Sequence, residues 1–471
     1  MTTFAQRINR GASFQVAGFL AVSAIAAAAL VSAVFGADWL PLAILVAALS
    51  LPIGLFAGVQ ALRWGPGYAT GLAIVGIILL CATFRIREIE DKSIDAQIAL
   101  RLLATGLVTI TAATAFLVTH RRTSPVAMPT AWVAFLLYVM ATSAWSLQPA
   151  VSLVETFANL AAFAFLCAYR RILGESALVR TLLAACFTLC CLSIAAYLLN
   201  PQLGRMSDWV NGVFVPTSRL SGVFGTANAA GAAAGLGILL TLLLAKLSWR
   251  RPWIYVLLAP MLFCLAASNN RMSVVATVAS LIYAWIAAGE RALKLVLLAL
   301  GIGVATLVMA LSGDAILESL SRSGSVEEIT SGTGRTRIWS VVLDLWMQKP
   351  LVGYGEGSAK FILPVHPLLF KAAAHAHNLY LNVLFAGGIV GLTLFAVALA
   401  RTLRRGVSQG NHRPIALLLF PLIYGLTEPA IGGFVSFVGL CFYGAAILIA
   451  ASPLGILAVA PAARTIGPPH R

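Results

Sequence analysis

Charge is what this chain most lacks. Only 10% of its 471 residues are Asp, Glu, Lys or Arg, and 60% are apolar, whereas charged residues approach roughly a quarter of a soluble globular protein. That excludes an ordinary soluble enzyme or binding module. Acids are scarcer than bases, 16 against 32, which leaves a formal net charge of +16. Histidine is rarer still, with six in the whole chain. The seven cysteines (Cys81, Cys167, Cys186, Cys190, Cys191, Cys264 and Cys441) all fall inside apolar runs. None can build a disulfide framework in an outer loop, and no metal-type cysteine spacing occurs, so they read as small core residues.

What is present is a succession of apolar blocks of about 16 to 24 residues, long enough to cross a hydrocarbon core as helix. About fourteen stand near 12–35, 38–61, 67–84, 98–118, 125–145, 150–168, 175–198, 227–245, 253–268, 272–288, 293–312, 378–400, 414–430 and 433–452, with twelve as the alternative count. Backbone amides in lipid must be satisfied within the segment, so the blocks are helices and the chain is an all-α polytopic integral membrane protein. The first block follows Arg7 and Arg10 but exceeds a signal-peptide core of about 7 to 15 residues, and it is retained as a span.

With the N-terminus inside and the spans alternating, one face collects Arg7, Arg10, Arg63, Arg121, Arg122, Arg170, Arg171, Lys246, Arg250, Arg251, Arg291, Lys294, Arg401, Arg404, Arg405, Arg413, Arg464 and Arg471 against two acids, Glu175 and Glu290. This is the positive-inside pattern. It accounts for the basic excess without nucleic acid as a partner.

Two outer segments are long. One runs from Asn200 to Ala227; the other, 312–374, is the only stretch large enough to hold structure of its own. The mixed-charge run "RIREIEDKSIDAQ" (85–97) reads as a solvated surface. In the large loop, "GRTRIWSVVLDLWMQKP" (334–350) has helical spacing, with Ile338, Val341, Val342, Leu345 and Trp346 on one side and Ser340, Asp344 and Gln348 opposite. Pro350 ends it. Trp339 and Trp346 suit the headgroup level, so the segment is expected to lie on the outer membrane surface; a helix that plugs the bundle is the plainer alternative. "GYGEGS" (353–358) has no flanking strand and helix to make it a nucleotide loop, and reads as a tight turn.

Several outer groups lack a structural reason. Arg219 sits in "SRLSGVFGTAN", Arg271 in "SNNRMS", and Arg335 and Arg337 open the loop helix. His366, His375 and His377 are three of the six histidines. Arginine offers a permanent planar fork matched to phosphate oxygens, and histidine can move a proton near neutral pH. Singly, an interfacial arginine is ordinarily an anchor and a lone histidine a satisfied polar residue. Zinc on His375 and His377 remains open as an alternative, although a spacing of two is not the i, i+4 pair of a helical site and no Cys or Glu pair lies nearby.

The ordered set "RLSGVFGTAN" (219–228), "SNNRMS" (268–273), "GRTRIW…KPLVGYGEG" (334–357) and "HAHNLYLNVLFAGGIVGL" (375–392) resembles the O-antigen ligase superfamily, in motif detail over roughly 215–395 and in layout over the whole chain. The resemblance implies a GT-C-like glycosyltransferase, metal-independent and without cofactor, at the periplasmic face of the bacterial inner membrane. Its partners would be an undecaprenyl-pyrophosphate-linked glycan donor, a lipid A core or growing glycan acceptor, and membrane lipids. By the same resemblance His377 is the general base and Arg335 the arginine for the departing diphosphate. Arg219 and Arg271 bind substrate, with Arg337, Tyr354 and Glu356 lining the site, and His375 is a neighbour without an essential part. The match at Arg271 is loose, because the family more often shows Ser-Arg directly. The chain then divides into an N-terminal bundle (1–198), a catalytic region (199–400, with the loop 312–374), and C-terminal helices with a cytoplasmic tail (401–471).

The rival is a multispan transporter or flippase for lipid-linked sugars. Such a path calls for ionisable groups at mid-depth, and only Glu155 and Arg180 sit more than a turn inside a block. No inverted repeat is evident. A phosphatase reporter fused at Gly406 should be silent and one at Ser331 active. An active Gly406 fusion would overturn the charge-based topology.

Overall fold

In the computed structural model, residues 66–83, 96–119, 129–210, 213–245, 252–288, 294, 335–369 and 373–450 are described. The expected spans at 12–35, 38–61 and 293–312 lie outside them. Twelve longer helices run through the described residues. They are α1 (Pro66–Cys81), α2 (Ala96–Thr119), α3 (Thr130–Ala141), α4 (Pro149–Leu173), α5 (Glu175–Leu199), α6 (Ala227–Leu239), α7 (Trp253–Ala267), α8 (Arg271–Ala287), α9 (Arg335–Gln348), α10 (Leu379–Ser408), α11 (His412–Tyr424) and α12 (Phe437–Ala450). Four stretches are long and apolar enough to cross a membrane: Pro149–Leu173, Glu175–Leu199, Ala227–Leu244 and Leu379–Ser408. The others in the bundle are shorter apolar helices. The molecule is a helical, multi-pass membrane protein.

Helix α6, "ANAAGAAAGLGIL", is the axle. Eleven of its thirteen residues are buried. A Cβ at Gly231, Gly235 or Gly237 would meet Ser268 Oγ, Thr277 Oγ1 or Cys186 Sγ at 2.5 Å. Small residues let α5, α7 and α8 close on α6, which is how helices associate in lipid where burial of apolar surface gives no drive.

Among the described residues the fold is all-α apart from one hairpin, a difference from the reading of 200–227 as loop. Strand β1 (Arg205–Val210) pairs antiparallel with β2 (Val213–Leu220), with Val210 opposite Val213 and Arg205 opposite Leu220. Between the strands the sequence reads Asn-Gly, a dipeptide that two-residue hairpins favour. The hairpin delivers Arg219 inward.

The expected span 378–400 is two helices, not one. At Gly388 the backbone leaves the helix (φ 61, ψ −162) and the chain reverses. Val383 O lies 3.6 Å from the Cβ site of Gly391, and the Tyr380 and Phe395 rings are 6.4 Å apart. A straight helix would separate the latter pair by about 22 Å. Residues 389–408, about 30 Å of helix, match a bilayer's hydrocarbon thickness. Residues 379–387 fold back beside them, which carries His377 about 15 Å below the turn, with Tyr380 beside Phe395.

The glycine-rich segment closes the break. Tyr354 N and Gly355 N donate to Phe385 O and Ala386 O, while Ile389 N and Val390 N donate to Pro350 O and Leu351 O. Four of the backbone groups freed at the two helix ends are thus bonded within protein. Helix α9 seats on this assembly. Ile338, Val341 and Val342 are buried against Ala359, Leu363, Ala373, Ala376 and Phe385, while Ser340, Asp344 and Gln348 are exposed. The amphipathic pattern is as expected, and its buried side faces protein.

Gly388 sits where side chains are strained, and a Cβ there would collide with the Leu351 backbone. Gly388→Ala should lower the melting temperature of purified protein by more than its φ of +61 alone accounts for. Gly410, at φ +66 with open space around it, is the control, where alanine should cost about 1 kcal/mol. Equal effects at both positions would refute a packed reversal.

Candidate functional site

The centre of the site is an acid. Helix α11 ends at Tyr424, and a tight turn carries the chain to Glu428, whose amide bonds back to Tyr424 O at 3.2 Å. The turn is stapled to the start of α10, where Leu379 N donates to Gly425 O at 2.7 Å and Asn378 Nδ2 to Leu426 O at 3.1 Å. Glu428 is 6% exposed. Its Oε1 accepts from Asn228 Nδ2 at 2.7 Å and from Arg335 Nη2 at 2.8 Å, and bonds His377 Nδ1 at 3.0 Å.

A carboxylate accepts only, so Nδ1 of His377 carries a proton, and in the neutral ring the lone pair then lies on Nε2. His377 has φ +46, one of two non-glycine residues with positive φ among the described residues. Such strain persists only where surroundings enforce it. Here the enforcers are the Glu428 bond, Asn378 capping α10 through Tyr380 N and Leu381 N, and Trp339, whose indole donates to Ala376 O at 3.0 Å. His377 N donates to His375 Nδ1 at 3.2 Å, leaving His375 Nε2 to face Glu428 Oε2 at 3.9 Å.

Behind Glu428 stands Arg219. It is 7% exposed, with Nε on Ser268 O at 3.1 Å, Nη1 on Met206 Sδ at 3.6 Å and Nη2 on Asn228 Oδ1 at 3.1 Å. Asn270 Nδ2 holds the Asn228 carbonyl at 3.1 Å. Helices α6, α8 and α10 all begin here, capped by Thr226, Asn270 and Asn378, and α9 opens on Arg335. Their positive ends favour an anion at this place.

Burial works to raise the Glu428 carboxyl, but the His377 hydrogen bond and the charges of His377, His375 and Arg335 outweigh it and hold it at about 2. Burial, with His377 and Arg335 adding, lowers His375 to about 4 against the pull of Glu428. The site thus keeps a buried anion and a neutral His375 at neutral pH.

His375, His377 and Glu428 bring one donor atom each within 4.8 Å of one another, close enough to meet at a cation. The fit is poor. Oε1 already serves three partners, and a metal ion there would stand against the Arg335 guanidinium and displace the His377 bond.

Among the other expected residues, Arg271 opens α8 directly after Asn270, at the edge of the cluster. Arg337 is exposed. Tyr354 stacks on Phe385 with centroids 4.9 Å apart, and its hydroxyl donates to Leu345 O at 3.0 Å, at the far end of α9 from Arg335. Glu356 is buried in a separate polar recess, accepting from Gly433 N at 2.9 Å, and burial raises its carboxyl. His366 bonds locally to Leu368 N. Glu428 and Asn228 were not among the candidates. The signal for Glu428 was an acid at the edge of an apolar block, and for Asn228 its place in "GTAN".

Fold and site define a helical membrane protein with an arginine–histidine–carboxylate centre. Residues 256–396 match the family model described as O-Antigen ligase. An O-antigen ligase of Pseudomonas aeruginosa is 33% identical over 170 residues, covering 35% of this chain and 38% of the relative. The chain thus matches well under half of that relative's length. Both findings are similarity to O-antigen ligases over part of the chain. The matched family region holds Arg335 and His377 but neither Arg219 nor Glu428.

A carboxyl lowered on folding stabilises the protein above its unfolded value of about 4.3 and loses that contribution as pH falls through its folded value. The melting temperature should therefore drop between about pH 4.3 and about 2. Glu428→Gln should melt lower at neutral pH and lack this acid-linked component. Identical curves for the two proteins would disprove the role given to Glu428.

Proposed function

We propose that the chain is an inner-membrane glycan transferase of the O-antigen ligase type. It moves a glycan from undecaprenyl pyrophosphate to a sugar hydroxyl at the periplasmic face, by ligation to lipid A core or by polymerisation of repeat units. The observation that carries the reading is a single carboxylate oxygen shared by His377 and Arg335. His377 Nε2 accepts the hydroxyl proton as the acceptor oxygen attacks the anomeric carbon. The bond from that carbon to the pyrophosphate oxygen breaks, and its electron pair leaves with the lipid pyrophosphate. Arg335, bound to Glu428 through Nη2 alone among the described residues, has donors to stabilise the leaving charge. Glu428 fixes the imidazole and stabilises the imidazolium that forms.

The catalytic unit is then 199–400 together with the turn at Glu428, with Arg271 at the rim of the donor site. The transporter reading is less supported, because Glu155, an ionisable group within the bundle, is paired with Lys360 at 2.6 Å.

Transfer from lipid-linked donor in proteoliposomes tests the reading. His377→Ala should lower it by about 10²–10⁴-fold at normal expression, with donor binding much less changed. His375→Ala should be milder. Arg335→Lys keeps the charge but loses the fork and should be impaired. Excess chelator should leave turnover intact. Near-normal transfer by His377→Ala, or flipping of lipid-linked sugar without any transfer, would sink the proposal; loss on chelation, restored by one divalent ion, would make the histidines ligands.

A further inference from the structure

We propose that Asn228, held by Arg219, is a positioning residue that sets the orientation of Glu428 and, through it, the ring tautomer of His377. The inference rests on the glycan-transfer reading only for its kinetic arm. It assigns Arg219 a role behind the reacting groups, where the sequence pattern had suggested contact with substrate.

The two ends of the Asn228 amide are chemically opposite, and each meets the one partner it can serve. Arg219 Nη2 offers only N–H, so Oδ1 of Asn228 must face it at 3.1 Å. Glu428 Oε1 offers only lone pairs, so Nδ2 must face it at 2.7 Å. Reversing the amide would set N–H against N–H and oxygen against oxygen. The Asn228 backbone is pinned in turn by Asn270. Arg219 is anchored by Ser268 O and Met206 Sδ, with its backbone in β2.

The order of contacts is therefore Arg219 to Asn228, Asn228 to Glu428, Glu428 to His377. The guanidinium is directed at Ser268, Met206 and Asn228, all groups of this protein. With the residue only 7% exposed, it is enclosed away from an incoming diphosphate. Arg335 shares the same carboxylate oxygen without that enclosure, its side chain 23% exposed, and so it is the arginine placed to meet substrate.

The replacement that isolates this function is Asn228→Asp. It keeps shape and the acceptor for Arg219, but turns the donor toward Glu428 into a second anion. Arg219→Lys is the companion, since it keeps a charge and loses the fork that orients the amide. In proteoliposomes both should lower kcat by at least about 10-fold, while the KM for lipid-linked donor stays within about twofold. Nitrogen-15 spectra of the histidine rings in nanodiscs should show His377 protonated at Nδ1 in the wild type and a mixture of tautomers in Asn228→Asp. Melting curves identify a variant that fails to fold, in which case the other decides.

A raised donor KM with unchanged kcat in Arg219→Lys would assign Arg219 to the diphosphate and overturn the proposal. An unaltered His377 spectrum in a folded Asn228→Asp would do the same. Should the wild type transfer no glycan at all, the ring spectra still judge this proposal while the glycan-transfer reading falls.

Discussion

The structure depends on keeping one carboxylate ionised where there is little water. An unpaired buried charge costs several kcal/mol, and removing one partner of a buried pair typically costs about 3–5 kcal/mol. Glu428 is affordable only because Asn228, Arg335 and His377 reach the same oxygen, while the starts of α6, α8, α9 and α10 converge on it. The starts of α6 and α9 and the residues before α10 contact the acid through Asn228, Arg335 and His377, and α8 joins them through Asn270 on the Asn228 carbonyl. The bundle supplies the frame, and the acid gives that frame one register.

That register requires the reversal at Gly388. Had α10 run straight from Asn378, its first turn would lie about 15 Å beyond the Gly388 level, far from the end of α11. Folding back brings Asn378 and Leu379 against the Gly425–Glu428 turn, with His377 immediately before them. The reversal in turn needs residues 350–355, because a broken buried helix must have its freed backbone groups bonded by protein. Glycines 353 and 388 permit the approach, since side chains at either would strike backbone. A half-helix whose positive end points at an anionic site is the same device by which discontinuous helices in membranes hold charged groups.

How much of this was legible follows from what each feature depends on. The spanning helices were readable because lipid imposes local rules of length and apolarity; α4, α5, α6 and α10 begin within a residue of the expected blocks. Helix α9 was readable from its period. Arg335 and His377 stood out as outer polar groups in a recognisable order. Glu428 did not, because its partners are 51, 93 and 200 residues away, and an acid at the edge of an apolar run looks like a helix end. The reversal hid in "FAGGIVGL", which is apolar enough to pass for uninterrupted helix. The β-hairpin could have been found, since Asn211-Gly212 lies between runs of strand-forming residues.

The arrangement also explains why one acid can serve two opposite needs. A base gains from an anion behind it, because the imidazolium that forms is then stabilised. A leaving diphosphate gains from cations in front of it. Placing Glu428 between His377 and Arg335 might be thought to neutralise the arginine and spoil the second function. It does not, because only Nη2 of Arg335 bonds the carboxylate, and because Arg219 and the helix ends restore the positive balance from the other side. On the proposed reading, proton acceptance at His377 and charge departure toward Arg335 would be served by separate groups already in place before substrate arrives, which is what low reorganisation at a buried site requires.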